Sequence, residues 1–159
     1  MKNLKLLFIL LSTLLIACRK SDNPPLVDVH STIDILDKSG KSILLEEVEK
    51  RINIYNYING EKIKVYNPDL EAKYGYILIE VGLEGRKLMQ IFPIIQKDKM
   101  EQTMLIEFAD AKVDTLKYVY SRPYPNTVHC VQIFLNKKEV WNTKKNGNDP
   151  IHRYIEIIR

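Results

Sequence analysis

At 159 residues the chain is long enough to bury a sizeable core and short enough that one domain is the economical count. Its formal net charge of +4, from 24 basic and 20 acidic residues scattered in ones and twos, is too balanced for a nucleic-acid binder or for a strong membrane-surface field. With two cysteines in all, the fold must rest on its core and not on a disulfide framework.

The chain begins with a short basic region, Lys2 and Lys5, followed by an apolar run from Leu6 to Ile16 broken only by Ser12 and Thr13. This is signal-peptide anatomy. Crossing a bilayer takes about 20 apolar residues, so the run is too short to stay as a membrane span. It ends in Leu15-Ile16-Ala17-Cys18, followed by Arg19 and Lys20. Those four residues resemble the lipobox of bacterial lipoproteins: an aliphatic residue, a branched one, a small one, then cysteine. The resemblance covers residues 1–18 and names a processing route, not a fold. It implies that residues 1–17 are removed, that Cys18 carries a diacylglyceryl thioether, and that the new amino group is acylated, by palmitate-type chains. With each buried methylene worth about 0.8 kcal/mol, two or three chains hold a protein on a bilayer far longer than one. In Gram-negative members an Asp after the lipidated cysteine signals inner-membrane retention; here the residue is Arg19, which implies the outer membrane, with the periplasmic face or the cell surface both open. Residues 18–26, polar and closing on Pro24-Pro25, then read as a tether with roughly 25 Å of reach.

Residues 27–159 carry the domain. From Val27 the pattern alternates, with Val29, Ile33 and Ile35 on one face and Asp28, His30, Thr32 and Asp34 on the other, which predicts a half-buried strand whose polar face is wet. Asp28, His30 and Asp34 form a row that can be read as metal ligands or as acids and base, although alternation by itself already puts polar side chains on the wet face. Leu44, Leu45, Val48 and Ile52 fall at helical spacing with Ser42 as a cap, predicting a short helix or an irregular connection. Asn59-Gly60 suits a two-residue type I′ hairpin turn and sets a register: Ile58 opposite Glu61, Tyr57 opposite Lys62, Asn56 opposite Ile63, Tyr55 opposite Lys64, Ile54 opposite Val65. Ile54, Ile63 and Val65 are then core-facing, and Tyr55 and Tyr57 sit on the outer face as a candidate binding platform.

Further strands are predicted at Tyr76 to Leu83, with Ile77, Ile79 and Val81 inward, and from Lys87 towards Ile95, where Pro93 cannot donate to a ladder. Others follow at Thr103 to Phe108, at Asp114 to Ser121 with Leu116, Tyr118 and Tyr120 on one face, and at Val128 to Leu135 as a central strand. The last two are Glu139 to Thr143 and Ile151 to Ile158. The loop Arg122-Pro123-Tyr124-Pro125-Asn126 is stiffened by two prolines, and Arg122 and Tyr124, with neighbouring Tyr120, are the second set of candidate binding residues. Cys130, in an apolar strand, reads as buried and unreactive.

Strands every 8–12 residues with turn dipeptides between them predict an all-β antiparallel β-sandwich of immunoglobulin-like or transthyretin-like type, with about eight strands and at most one short helix. The sequence holds no Gly-rich phosphate loop, no Gly-x-Ser-x-Gly, no His-Glu-x-x-His and no Cys-x-x-Cys, so no catalytic residue, metal ligand or cofactor is assigned. The expectation is an outer-membrane lipoprotein with a non-enzymatic binding or accessory domain. Its partners would be the membrane, through the anchor, and an envelope protein or glycan, with no nucleic acid. The alternatives are an envelope hydrolase acting on glycan or peptide, and a structural subunit of an envelope assembly.

Overall fold

The computed structural model describes residues 26–82, 85–124, 126–146 and 153–159. The expected signal peptide, Cys18 and nearly all of the tether lie outside them, as do Pro125 and part of the turn at 83–84. The strands are β1 (Leu26–Asp28), β2 (Ser31–Leu36), β3 (Asn53–Ile58), β4 (Glu61–Lys64), β5 (Tyr76–Val81), β6 (Arg86–Ile91), β7 (Glu101–Glu107), β8 (Val113–Ser121), β9 (Thr127–Leu135), β10 (Lys138–Asn142) and β11 (Tyr154–Ile158). Two helices, α1 (Leu44–Glu49) and α2 (Thr143–Asn146), connect them.

The protein is all-β and sandwich-like. A seven-stranded sheet runs β1-β9-β8-β7-β3-β4 with β10 also on β9, and a four-stranded sheet runs β11-β2-β6-β5. Among the described residues eleven strands and two short helices stand against the expected eight strands and at most one helix, one strand being gained where the predicted first strand divides into β1 and β2. The sheets are mixed, not purely antiparallel: β1 lies parallel to β9 and β11 parallel to β2. Between the sheets one cluster packs Ile54, Met104, Ile106 and Leu116 with Ile33, Ile35, Met89, Ile91, Ile155 and Ile157, each 2% exposed or less. Each such side chain contributes about 1.5–3 kcal/mol by leaving water.

The Asn59-Gly60 hairpin has the expected register, Ile58↔Glu61 through Tyr55↔Lys64, and Val65 N–H donates to Ile54 O at 2.8 Å to extend it. Both turn residues take positive φ, 51° and 90°, as a type I′ turn requires. The β9–β10 turn uses the same geometry without a glycine, with Asn136 and Lys137 at φ 50° and 73°. There the Asn136 side chain supplies the order, accepting from Thr115 N–H at 2.9 Å and donating to Asp114 at 2.6 Å.

Three local expectations are corrected. The predicted half-buried first strand is two strands in two sheets, β1 and β2, with the crossover at Val29-His30. All six residues of β2 are buried: β11 runs along one edge at Thr32–Leu36 and β6 along the other at Ser31–Ile33, and Asp34 is fully buried where it was expected wet. Arg86 covers that carboxylate from β6 with an Nε hydrogen bond of 3.0 Å, and Ser42 donates to it at 2.6 Å. Ser42 therefore does not cap α1, whose N-cap position is Ile43 with no side-chain bond. Ile63 is 45% exposed, not core, since β4 forms the outer edge of the larger sheet and all four of its residues are exposed.

Candidate functional site

Strand register gathers one end of the larger sheet. Tyr57 pairs with Thr103, Glu101 with Val119, Ser121 with His129 and Leu26 with Thr127. The Asn59-Gly60 turn, the segment leading into β7, the β8–β9 loop and the point where the chain enters the domain therefore share that end.

A groove of about 370 Å³ opens there, lined by Tyr57, Asn59, Gln96, Asp98, Lys99 and Gln102 among others. Its wall is held from behind by Arg122, whose Nη2 donates to Gln96 O at 2.8 Å and more weakly to Lys99 O at 3.5 Å. Pro93 ends β6 at Ile91, so the segment after it has no ladder to hold it, and the guanidinium takes over that task. The groove floor is an amide relay: Gln96 Nε2 donates to Gln102 Oε1 at 3.1 Å, and Gln102 Nε2 to Thr103 O at 2.9 Å and towards Asn56 Oδ1 at 3.4 Å. Asn56 and Gln102 are 1% and 2% exposed. This places two polar side chains in a core; the Gln102 amide is satisfied at both its oxygen and its nitrogen, which fixes local geometry, while Asn56 Nδ2 has no partner among the described residues.

The structure sorts the five candidate binding residues. Tyr57 lies in the groove, 48% exposed, and Arg122 shapes the groove without lining it. Tyr124 stands at the tip of the β8–β9 loop, 70% exposed. Tyr120 is interior, its ring stacked 6.5 Å from Tyr118, and burial drives its phenol well above the ordinary range. Tyr55 is engaged: its hydroxyl donates to Glu107 at 3.2 Å and Lys62 lies 3.9 Å over its ring while itself pairing with Glu107. So the structure brings Tyr57 and Arg122 together from the two separate candidate sets.

A second polar cluster centres on a residue the sequence analysis did not single out. Arg153, 1% exposed, donates from Nη1 to Asp28 Oδ1 at 2.7 Å and to His30 O at 3.1 Å, and from Nη2 to Asp28 Oδ2 at 2.5 Å. Its guanidinium sits 5.1 Å from the Trp141 ring. The signal was present in phase: Arg153, Ile155 and Ile157 are alternate residues and all three are buried. A cleft of about 280 Å³ borders this pair, lined by Asp28, Ser121, His129, Cys130, Val131, Thr143 and Arg153. It sits where the outer edge of β9 passes from β1, which pairs through His129, to β10, which pairs from Gln132.

Neither the thiol nor the carboxylate there is poised for chemistry. Burial pushes the Cys130 thiol up to about 12, so it is not a nucleophile at neutral pH. Asp28 and His30 lie 4.0 Å apart, but Asp34 is tied to Arg86 and Ser42 in the other sheet, so the row seen in sequence is not one site. Among the described residues no three metal-ligating side chains converge.

The cluster does predict acid sensitivity. Burial lowers the His30 pKa, helped by the nearby Arg153 charge and opposed by Asp28. Burial alone would raise Asp28, but the hydrogen bonds and charge of Arg153 outweigh it and hold the carboxyl below its usual range. In both cases the unfolded chain binds more protons, so stability rises with pH. The His30 contribution is lost as pH falls below about 6.5, and the Asp28 contribution only below about 4. The lower limb is shared with Asp37, Asp110, Glu107 and Glu139, held down by Ser39, Lys112, Lys62 and Lys145 respectively. Melting temperature is expected to decline on acidification from about pH 6.5, and His30→Gln to delay the onset to about pH 4.5. An unchanged onset in the variant would refute the assignment to His30.

Comparison with protein-family models, with curated proteins and with solved structures finds no match. Among the described residues no helix is long and apolar enough to cross a membrane.

Proposed function

We propose that this protein is an outer-membrane-anchored lipoprotein whose β-sandwich is a non-enzymatic binding or accessory module, with the groove beside Tyr57 as its contact surface. The location rests on the lipobox-like Leu15-Ile16-Ala17-Cys18. The binding role rests on one observation above the others, the Arg122 clamp on Gln96 and Lys99, because a preformed groove wall removes the ordering cost that weakens flexible sites. An aromatic face beside side-chain amides, with two acids, Asp98 and Glu101, and one base, Lys99, also in the lining, matches a polar ligand without strong charge, a glycan or a peptide segment, better than a strongly charged one. The carboxylate bordering the other cleft, Asp28, is committed to Arg153 and the Cys130 thiol there is buried and protonated, which favours binding over hydrolysis as the reading.

Two variants test the two halves. Cys18→Ala should leave the protein in the soluble fraction after a high-salt wash, and continued sedimentation with membranes would remove the anchor. Tyr57→Ala should weaken capture of envelope glycans or peptides by tenfold or more, about 1.4 kcal/mol, as a central aromatic contact does. Tyr66→Ala, at an exposed tyrosine outside the groove, serves as the control. Equal capture by all three proteins would exclude the groove. A stable stoichiometric complex that survives Tyr57→Ala would instead mark a structural subunit.

A further inference from the structure

A separate cleft opens on the side of the sandwich where the chain leaving β4, an edge of the larger sheet, meets the chain entering β5, an edge of the smaller one. It holds about 410 Å³, and Arg51, Asn53, Lys64, Tyr74 and Tyr76 are in its lining. We propose that it binds an oxoanion carried on a small ring, a phosphorylated or carboxylated sugar. The site depends neither on the Tyr57 groove nor on the anchor. Asn53 and Tyr57 stand four residues apart along β3, about 13 Å, and the two linings share no residue.

The charge in the cleft is one-sided. Arg51 and Lys64 line it and no carboxylate does, while Lys73 adds an ammonium 5.1 Å from the centre of the Tyr74 ring. The acids of the adjoining elements are engaged: Glu47 pairs with Lys50, and Glu107, opposite Asn53 across β3 and β7, pairs with Lys62 and accepts from Tyr55. Glu49 and Glu71 are exposed and stand outside the lining. Among the described residues Arg51 and Lys64 are thus left without a carboxylate partner. A guanidinium and an ammonium converging in a concave site match the charge and the acceptor oxygens of an oxoanion. Two tyrosine rings and the Asn53 amide beside them offer an apolar face and hydrogen bonds to a sugar ring.

Arg51 holds its place against a backbone preference. Its φ is 77°, at the residue after the C-cap of α1, where glycine is the usual choice. The guanidinium is no part of that cap, because backbone donors make it: Lys50 N–H to Glu46 O at 3.1 Å and Arg51 N–H to Val48 O at 3.0 Å. On the opposite wall the same preference is obeyed. Gly75, at φ 83°, packs so closely that a Cβ there would lie 2.8 Å from Val65 Cγ1, and its N–H donates to Ala72 O at 2.7 Å. Tyr74 and Tyr76 are therefore held on either side of a fixed point. A glycine stands where packing requires one, and an arginine where the backbone alone would favour one.

Ligand-observed NMR titration of the full chain in non-ionic detergent tests the site, with glucose 1-phosphate, glucuronate, glucose and inorganic phosphate as probes. One of the two sugar anions should bind at least about tenfold more tightly than glucose or inorganic phosphate, and the tighter of them identifies the anion as phosphate or carboxylate. Arg51→Gly should weaken that binding by about tenfold or more while melting no lower than the parent chain, since glycine suits the left-handed backbone. Lys64→Gln should weaken it too, and Tyr57→Ala should leave it unchanged. Equal binding of all four probes, or sugar-anion binding retained in both Arg51→Gly and Lys64→Gln, overturns the site. Inorganic phosphate bound as tightly as the sugar anions reduces it to surface charge, and an Arg51→Gly chain that melts well below the parent makes Arg51 a structural residue; either result overturns the proposal. Loss of binding in Tyr57→Ala alone places the anion in the groove, which overturns this cleft and leaves the groove standing.

Discussion

Asp28→Asn is expected to destabilise the protein by about 3–5 kcal/mol, more than Arg153→Met, measured as the shift in denaturant midpoint at constant slope. The asymmetry comes from burial. Arg153 is 1% exposed, and a guanidinium cannot shed its proton, so removing the carboxylate strands a charge inside the protein. Removing the guanidinium leaves Asp28, whose side chain is 18% exposed and can be solvated or protonated. Methionine also fills much of the vacated volume. Its cost should be nearer 1–2 kcal/mol, chiefly the lost hydrogen bond to His30 O. If Arg153→Met proves the worse of the two, the pair is not the stranded-charge problem described here. The pair joins β1 in one sheet to the residue before β11 in the other, so it fixes how the two sheets meet at the crossover.

Trp141→Ala is expected to cost about 3–5 kcal/mol, by leaving a cavity under the same guanidinium. The indole is 1% exposed and packs in the main core cluster. Trp141→Phe should cost only about 1–2 kcal/mol. Phenylalanine keeps an aromatic face for Arg153, and it removes the indole Nε1, which has no hydrogen-bond partner among the described residues. Thermal or denaturant unfolding of both variants checks this. A Phe variant as damaged as the Ala variant would mean that the indole N–H has a partner after all.

Much of the sandwich was legible locally. Asn59-Gly60 carried its own register, since two residues at positive φ commit the flanking strands to one pairing. The phase of Leu116 and Tyr118 put them on one face of β8, and that face is the buried one. The half-wet reading of Asp28 to Ile35 failed for a reason alternation cannot reveal. Period 2 tells which residues share a face, not whether something covers the other face, nor that a chain changes sheets midway. Tyr120 shows the same limit from the other direction. It sits next to the loop in sequence, but its strand phase turns it into the core.

By itself the sequence determined the class, a run of strands whose periodicity demands a sheet with one buried face, and it carries the lipobox-like Leu15-Ile16-Ala17-Cys18 on which the proposed address rests. Those features are local, written in residues adjacent along the chain. Only the tertiary structure decided that Arg153 meets Asp28, that Arg122 builds a groove beside Tyr57, and that β1 begins at the end bearing Tyr124. Each of these joins residues tens of positions apart, and which residues meet across such separations depends on strand order and on the stacking of two sheets. Periodicity along one strand carries no information about either.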